Sequence, residues 1–264
     1  MAEGRGVILK SVREIERMRD AGRIVHGVLD KMRELVCPGV TTAELNAVAE
    51  EMIEQAGGLA LFKGVENPQA KYPFPAALCT SINEELVHGV PGDVVLQDGD
   101  LISIDCGVRL AGYCGDSATT LSVGTLKPEV ERLMSVTRRS LEIAIEEIRP
   151  GRMWSEVAKL MQRFVEGADH SVVRDFVGHG IGQSLHEEPK VPNFWDRRQR
   201  HSDFELVPRM VIAIEPMVTI GSYAVRYGGE DGWVVVTKDG TLSAHFEHTV
   251  VVTDEGADIL TDGR

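Results

Sequence analysis

Leu101-Ile-Ser-Ile-Asp105-Cys-Gly-Val-Arg-Leu110-Ala-Gly112-Tyr-Cys-Gly-Asp116 is the stretch on which the reading of this chain turns. The apolar run before Asp105 predicts a buried strand, and Leu110-Ala-Gly112 predicts the turn that ends it. A hairpin about that turn pairs Asp105 directly with Asp116, on one face of the sheet, with Cβ atoms about 4.5 to 5.5 Å apart. Two carboxylates placed this way repel, and each is costly to desolvate, so positive charge belongs between them. Metal ions about 3.5 to 4 Å apart fit that spacing.

Two more carboxylates interrupt apolar strands further along. Glu215 lies in Met210-Val-Ile-Ala-Ile-Glu215-Pro, where the proline ends the ladder beside it, and Glu247 opens the β-branched run after Ala244-His-Phe. Four buried carboxylates carry a charge that two divalent cations would balance. His179, in Val177-Gly-His-Gly-Ile-Gly182, has glycines on both sides that let backbone approach a ligand closely and present one imidazole. His88, in Asn83-Glu-Glu-Leu-Val-His-Gly-Val-Pro, and His186, in Leu185-His-Glu-Glu-Pro189, sit in turn-rich segments of the kind that carry binding residues.

Outward from this core, helices and strands alternate in two rounds. Ser11 and Glu14 form a capping box ahead of Val12, Ile15, Met18, Val25, Val28, Leu29 and Met32, with a stop at Pro38-Gly39. Thr41 and Glu44 repeat the device ahead of Leu45, Val48, Met52 and Ile53. Pro128 opens a third helix that runs to Pro150-Gly151, and a fourth follows through Val157, Leu160, Met161 and Val165. Each helix pair precedes strand-like segments, at 94–123 in the first round and at 172–177, 211–220, 233–237 and 249–253 in the second. The pattern predicts an internal duplication of about 1–125 and 126–264 within a single catalytic unit, 1–264. It predicts an α+β fold of two pseudo-symmetric halves, with helix pairs outside a shared, mostly antiparallel sheet.

Composition narrows the partners. The 264 residues carry a formal charge of -13, which disfavours nucleic acid and anionic membrane surfaces. The opening Met-Ala-Glu-Gly-Arg-Gly has no apolar leader core and no stretch approaches a membrane span, so a cytoplasmic location is expected. Cysteines at 37, 79, 106 and 114 lack any Cys-x-x-Cys spacing and read as free thiols, Cys37 and Cys106 as small buried residues.

Asp105, the aspartate at 116, Gly178-His-Gly-Ile-Gly, Ile214-Glu-Pro and Phe246-Glu-His, in that order, closely resemble the type I methionine aminopeptidases of the pita-bread fold. The resemblance runs over essentially the whole chain and includes Cys79-Thr-Ser-Ile-Asn83-Glu, His186-Glu-Glu-Pro and Asp231-Gly-Trp233. It implies removal of the initiator methionine from nascent polypeptides when the next residue is small. It also implies two divalent ions, Co, Mn, Fe or Zn, held by Asp105, Asp116, His179, Glu215 and Glu247, with Asp116 and Glu247 bridging. By the same resemblance Glu215 shuttles protons, His186 stabilises the oxyanion, and His88 contacts the substrate backbone or amine. Phe74, Cys79, His88 and Trp233 form the methionine pocket, with Leu185 standing where the family commonly has an aromatic. A monomer is expected, and any ribosome contact would use the catalytic domain. The rival readings are a proline-directed peptidase of the same fold, a hydrolase of a non-peptide substrate, and a binding protein that has lost catalysis.

Overall fold

The computed structural model describes residues 6–264, so residues 1–5 of the opening discussed above lie outside the described part. The first round of elements is α1 (Val12–Leu35), α2 (Thr42–Gln55), β1 (Leu59–Ala60), β2 (Leu78–Ile82), β3 (Glu85–Val87), β4 (Leu101–Leu110) and β5 (Tyr113–Ser122). The second opens with α3 (Pro128–Glu147), α4 (Trp154–Gly167), β6 (Ser171–Val172), β7 (Gly178–Gly180) and β8 (Glu187–Val191). It continues with β9 (Val211–Ile214), β10 (Met217–Thr219), β11 (Val225–Tyr227), β12 (Val235–Thr237), β13 (Ser243–His245), β14 (His248–Val252) and β15 (Ala257–Ile259).

Local chemistry starts the first two helices. Both capping boxes are formed, with the Glu14 carboxylate accepting from the Ser11 N–H at 2.7 Å and that of Glu44 from the Thr41 N–H at 2.8 Å. The later pair lacks side-chain caps. Pro128 occupies the first turn of α3, where its missing N–H costs nothing. In α4 the free donors are met from a distant segment: Trp154 N–H donates to the Phe204 carbonyl at 2.9 Å and Ser155 N–H to the Asp203 carboxylate at 3.0 Å. Nothing local in the sequence marks that start.

The helix pairs bury their apolar faces against strands of their own half. Val25, Leu29, Met32, Leu45 and Ile53 pack on Leu78, Ile102 and Ile104, while Leu133, Trp154, Met161 and Val165 pack with Ile212, Val218 and Val250. Every ladder between named strands is antiparallel. The strands form four hydrogen-bonded sheets rather than one unbroken sheet, in the orders β1-β4-β2 with β5 on β4, β13-β10-β6, β11-β12-β3 and β15-β14-β9-β7-β8. The β3–β12 ladder crosses between the halves.

The hairpin that opened the sequence reading turns one residue later than expected, which shifts the strand pairing by two residues. Its turn is Ala111-Gly112, both at positive φ (48° and 87°), a two-residue turn whose backbone twist matches the strands. Leu110 pairs with Tyr113, so Asp105 faces Ala118 and Asp116 faces Gly107. The two aspartates therefore share a face as diagonal neighbours rather than as a direct pair, on a Cα spacing of about 7 to 8 Å. Leu110, read as part of the turn, belongs to the strand. The expected burial of Cys37 also fails: Cys106 is buried in β4, but Cys37 is exposed in the bend that leaves α1.

The two halves meet along β5. Thr249 Oγ1 accepts from the Asp116 N–H at 3.1 Å and donates to the Asp116 carbonyl at 2.8 Å. Two residues on, Glu247 N–H donates to the Ala118 carbonyl at 2.9 Å, and Thr120 Oγ1 joins both the N–H and the carbonyl of His245 at 2.8 Å. Three alternate residues of β5, Asp116, Ala118 and Thr120, are thus tied to the β13–β14 segment.

A buried ion pair holds the loop ahead of β8. Lys10, 3% exposed, donates to Glu187 Oε2, and Glu187 Oε1 accepts the N–H groups of Gln183 and Ser184 at 3.0 and 3.2 Å. Lys10→Met leaves that carboxylate unbalanced and is expected to cost about 3 kcal/mol, with much of the loss recovered in Lys10→Met/Glu187→Gln. Urea unfolding of the three proteins decides this; equal stability of wild type and Lys10→Met removes the ion pair from the account.

Candidate active site and metal centre

Strands from both halves open onto one cavity of about 180 Å³. Asp105 comes from β4, Asp116 from β5 and His179 from β7, while Glu215 follows β9 and Glu247 precedes β14. Phe74, Cys79, His88, His186 and Trp233 complete the set, so all ten residues singled out in the sequence line this one space.

Asp116, His179 and Glu247 form the tightest group: each offers a ligand-type atom, and all three atoms lie within 4.8 Å of one another. His179 Nδ1 lies 2.9 Å from the Gly180 carbonyl oxygen, to which it donates. That bond fixes the tautomer and leaves the Nε2 lone pair facing Glu215 Oε1 at 3.6 Å and Asp116 Oδ2 at 3.8 Å. A lone pair aimed at two carboxylates is unfavourable unless a cation lies among them. Asp105 and Glu215 line the same wall outside the tight group.

Electrostatics make the same demand. Burial pushes the Asp105 carboxyl up to about 7, although hydrogen bonds from Asp116 and the Cys106 backbone pull it down. Asp116 is held well above the usual carboxylate range by burial and then by Asp105 and Glu215; Glu247 is raised by burial and then by Asp116, Glu215 and Asp105. Glu215 is raised by burial and by Asp105. Oδ1 of Asp105, Oδ1 of Asp116 and Oε1 of Glu247 are buried with no hydrogen-bond partner. Oxygen donors without partners, crowded around one imidazole lone pair, are the donor set for a hard or borderline divalent cation, and the residues fit one.

The histidines differ in setting. Burial lowers His179 and His88 to about 4, with His186 adding a smaller push, so both are neutral at physiological pH. His186 stands exposed at the rim, its ring edge-on to His179 with centroids 4.4 Å apart. His88 adopts φ 61°, an uncommon conformation for a residue with a side chain, and lies edge-on to Phe176 at 5.6 Å.

Opposite the carboxylates the cavity is apolar. Phe74 meets Trp233 edge-on at 5.0 Å, the Trp233 indole N–H donates to the Tyr72 carbonyl at 2.9 Å, and Cys79 and Leu185 close the wall. Phe62 and Val65 also line it and were not singled out in the sequence, where they sit in an irregular stretch without periodicity. His245 was missed as well. It lies two residues before Glu247, a spacing that strand alternation turns to one face, and its Nε2 is 3.9 Å from Glu215 Oε2.

The glycines flanking His179 serve a different purpose from the one expected. A Cβ on Gly178 would lie 2.3 Å from the Ala213 carbonyl oxygen, and one on Gly180 2.2 Å from that of Glu188. They admit the neighbouring backbone of β9 and of β8, rather than a ligand, against the histidine strand.

Residues 16–254 match the family model of metallopeptidase family M24. The chain is 47% identical over 255 residues to a methionine aminopeptidase of Clostridium perfringens, covering 97% of this chain and 98% of that protein. It is 45% identical to methionine aminopeptidase 1 of Bacillus subtilis, over 97% and 99% of the two chains. Among solved structures, a methionine aminopeptidase of Thermotoga maritima superposes with a TM-score of 0.91 at 38% identity, covering 97% of this chain and 99% of that one. A prolidase of Pyrococcus furiosus shares the fold, with a TM-score of 0.73 at 22% identity, and only 65% of its length is covered. A family model spanning most of the chain, and relatives matched from end to end, establish that the chain belongs to metallopeptidase family M24.

Proposed function

We propose that this chain is a methionine aminopeptidase that removes the initiator methionine of newly made polypeptides when the second residue is small. The single observation that carries the reading is the two-sided cavity: five ligand-type side chains on one wall, and Phe62, Phe74, Leu185 and Trp233 on the other, in a space suited to one unbranched side chain. Cys79 adds a small thiol that burial keeps protonated, consistent with a role in shape rather than as a nucleophile.

Asp105, Asp116, His179, Glu215 and Glu247 would hold two divalent ions, drawn from Co, Mn, Fe or Zn. Bound there, the ions supply an acidified water and polarise the scissile carbonyl. Glu215, whose raised affinity for protons suits the task, accepts the proton of the attacking water and passes it to the departing amine. His186, at the rim beside His179, donates to the oxygen that gains charge, and neutral His88 contacts the substrate amine or backbone. The apolar wall grips the methionine side chain and keeps bulk water from the reacting bond. A single catalytic domain acting as a cytoplasmic monomer completes the reading, and a ribosome contact would fall on that domain. No described helix is long and apolar enough to cross a membrane. End-to-end kinship with methionine aminopeptidases favours this reading over proline-directed cleavage.

Methionine release from Met-Ala-Ser is expected to vanish on stripping metal and to return with Co or Mn. Glu215→Ala should stay at least about 100-fold slower with either ion. A Pro-containing dipeptide cleaved faster than Met-Ala-Ser would overturn the substrate assignment.

Proton bookkeeping offers a second check. Asp105 binds its proton up to about pH 7 in the folded metal-free protein and only up to about pH 4 when unfolded, so metal-free stability falls as pH rises across that window. Filling the site at pH 7 must expel protons. Titration calorimetry with Mn in two buffers of different ionisation enthalpy should give different heats; identical heats refute the charge-crowded site.

A further inference from the structure

His245 lies 2% exposed behind the cavity wall, and its Nε2 is buried without a hydrogen-bond partner. Such a group is costly in a folded protein unless it serves a purpose. Its nearest carboxylate oxygen is Glu215 Oε2, at 3.9 Å, while the other oxygen of the same group, Oε1, faces His179 Nε2 at 3.6 Å. Glu215 therefore stands between two imidazoles. Among the described residues no side chain hydrogen-bonds its carboxylate, although Asn193 Nδ2 anchors its carbonyl at 3.0 Å.

The two imidazoles cannot play the same part. His179 spends its proton on the Gly180 carbonyl and meets Glu215 with a lone pair. On the far side, an ionised Glu215 offers only lone pairs, so a stable contact there requires a proton on His245 Nε2. His245 is itself well fixed: its N–H and carbonyl are both bound by Thr120 Oγ1, which also meets Ser103 Oγ at 2.8 Å, and it pairs with Met217, two residues beyond Glu215. The gap to Oε2 exceeds hydrogen-bond length by about 1 Å, a distance that rotation about the side-chain bonds of Glu215 covers.

We propose that His245 is a positioning residue: its Nε2–H donates to Glu215 Oε2, fixing the carboxylate with Oε1 turned into the cavity beside His179. The assignment rests on the reading of Glu215 as a metal ligand and proton carrier. It gives Glu215 two unlike oxygens, one anchored and one free to bind or carry a proton. Outer partners of this kind hold a ligand at its working angle, and their loss typically costs about 10- to 100-fold in metal affinity or turnover.

The test compares His245→Leu, which removes the donor, with His245→Gln, whose side-chain amide restores one. Thermal unfolding first establishes that each is folded, and His245→Met replaces the leucine variant should that one unfold. Calorimetric titration of metal-stripped protein with Mn should show affinity falling about 10- to 100-fold in the apolar variant and staying within a few-fold of wild type in His245→Gln. On Met-Ala-Ser the apolar variant should lose kcat with little change in KM. An apolar variant that binds Mn as wild type does, or a glutamine variant as impaired as the apolar one, overturns the proposal. If wild type releases no methionine, the peptidase reading fails alone, because the ratio of Mn affinities still decides the role of His245.

Discussion

Everything in this site follows from crowding negative charge where water cannot screen it. Asp105, Asp116, Glu215 and Glu247 converge on one small cavity, each raised by burial and three of them by one another. Left alone, such a cluster either stays protonated or destabilises the fold. The hydrogen bonding of His179 turns a lone pair into the cluster instead of a proton, so the imidazole brings it no positive charge. Affinity for external cations is the physical consequence, and family M24 membership accords with it.

That crowding can be held only because the cluster lies on the seam between halves. Thr249 grips the backbone of Asp116, and Glu247 bonds to Ala118 beside it, so the residues that repel most are bound through their main chains. The strands beneath them are anchored in turn by two separate apolar cores, one for each helix pair. Repulsion between side chains is thus opposed by backbone bonds across the seam and by burial on the helix side.

Much of this was legible in the chain. The helices with capping boxes were readable because a cap is a contact over three residues, and the buried strands because a run of β-branched residues has little other use. The carboxylates at 105, 215 and 247 stood out as charges interrupting such runs. Where the cause lay far away, the reading stopped short. The start of α4 depends on Asp203 and Phe204, the glycines at 178 and 180 answer to neighbouring strands, and Phe62 and Val65 enter the cavity from an irregular stretch. The hairpin register slipped by two residues because two positive φ angles at Ala111-Gly112, and not the residue types of Leu110-Ala-Gly112, fix the turn.

By itself the sequence determined the α+β class, the pairing of helices, and which polar side chains would be driven inside, because hydrophobic period and capping act between near neighbours. Only the tertiary structure decided how those side chains face one another: Asp105 diagonal to Asp116, His179 aimed by its own backbone bond, and His245 set behind Glu215. Those relations are distances between residues far apart in the chain, set by strand register and by the seam joining two halves. No local pattern encodes them.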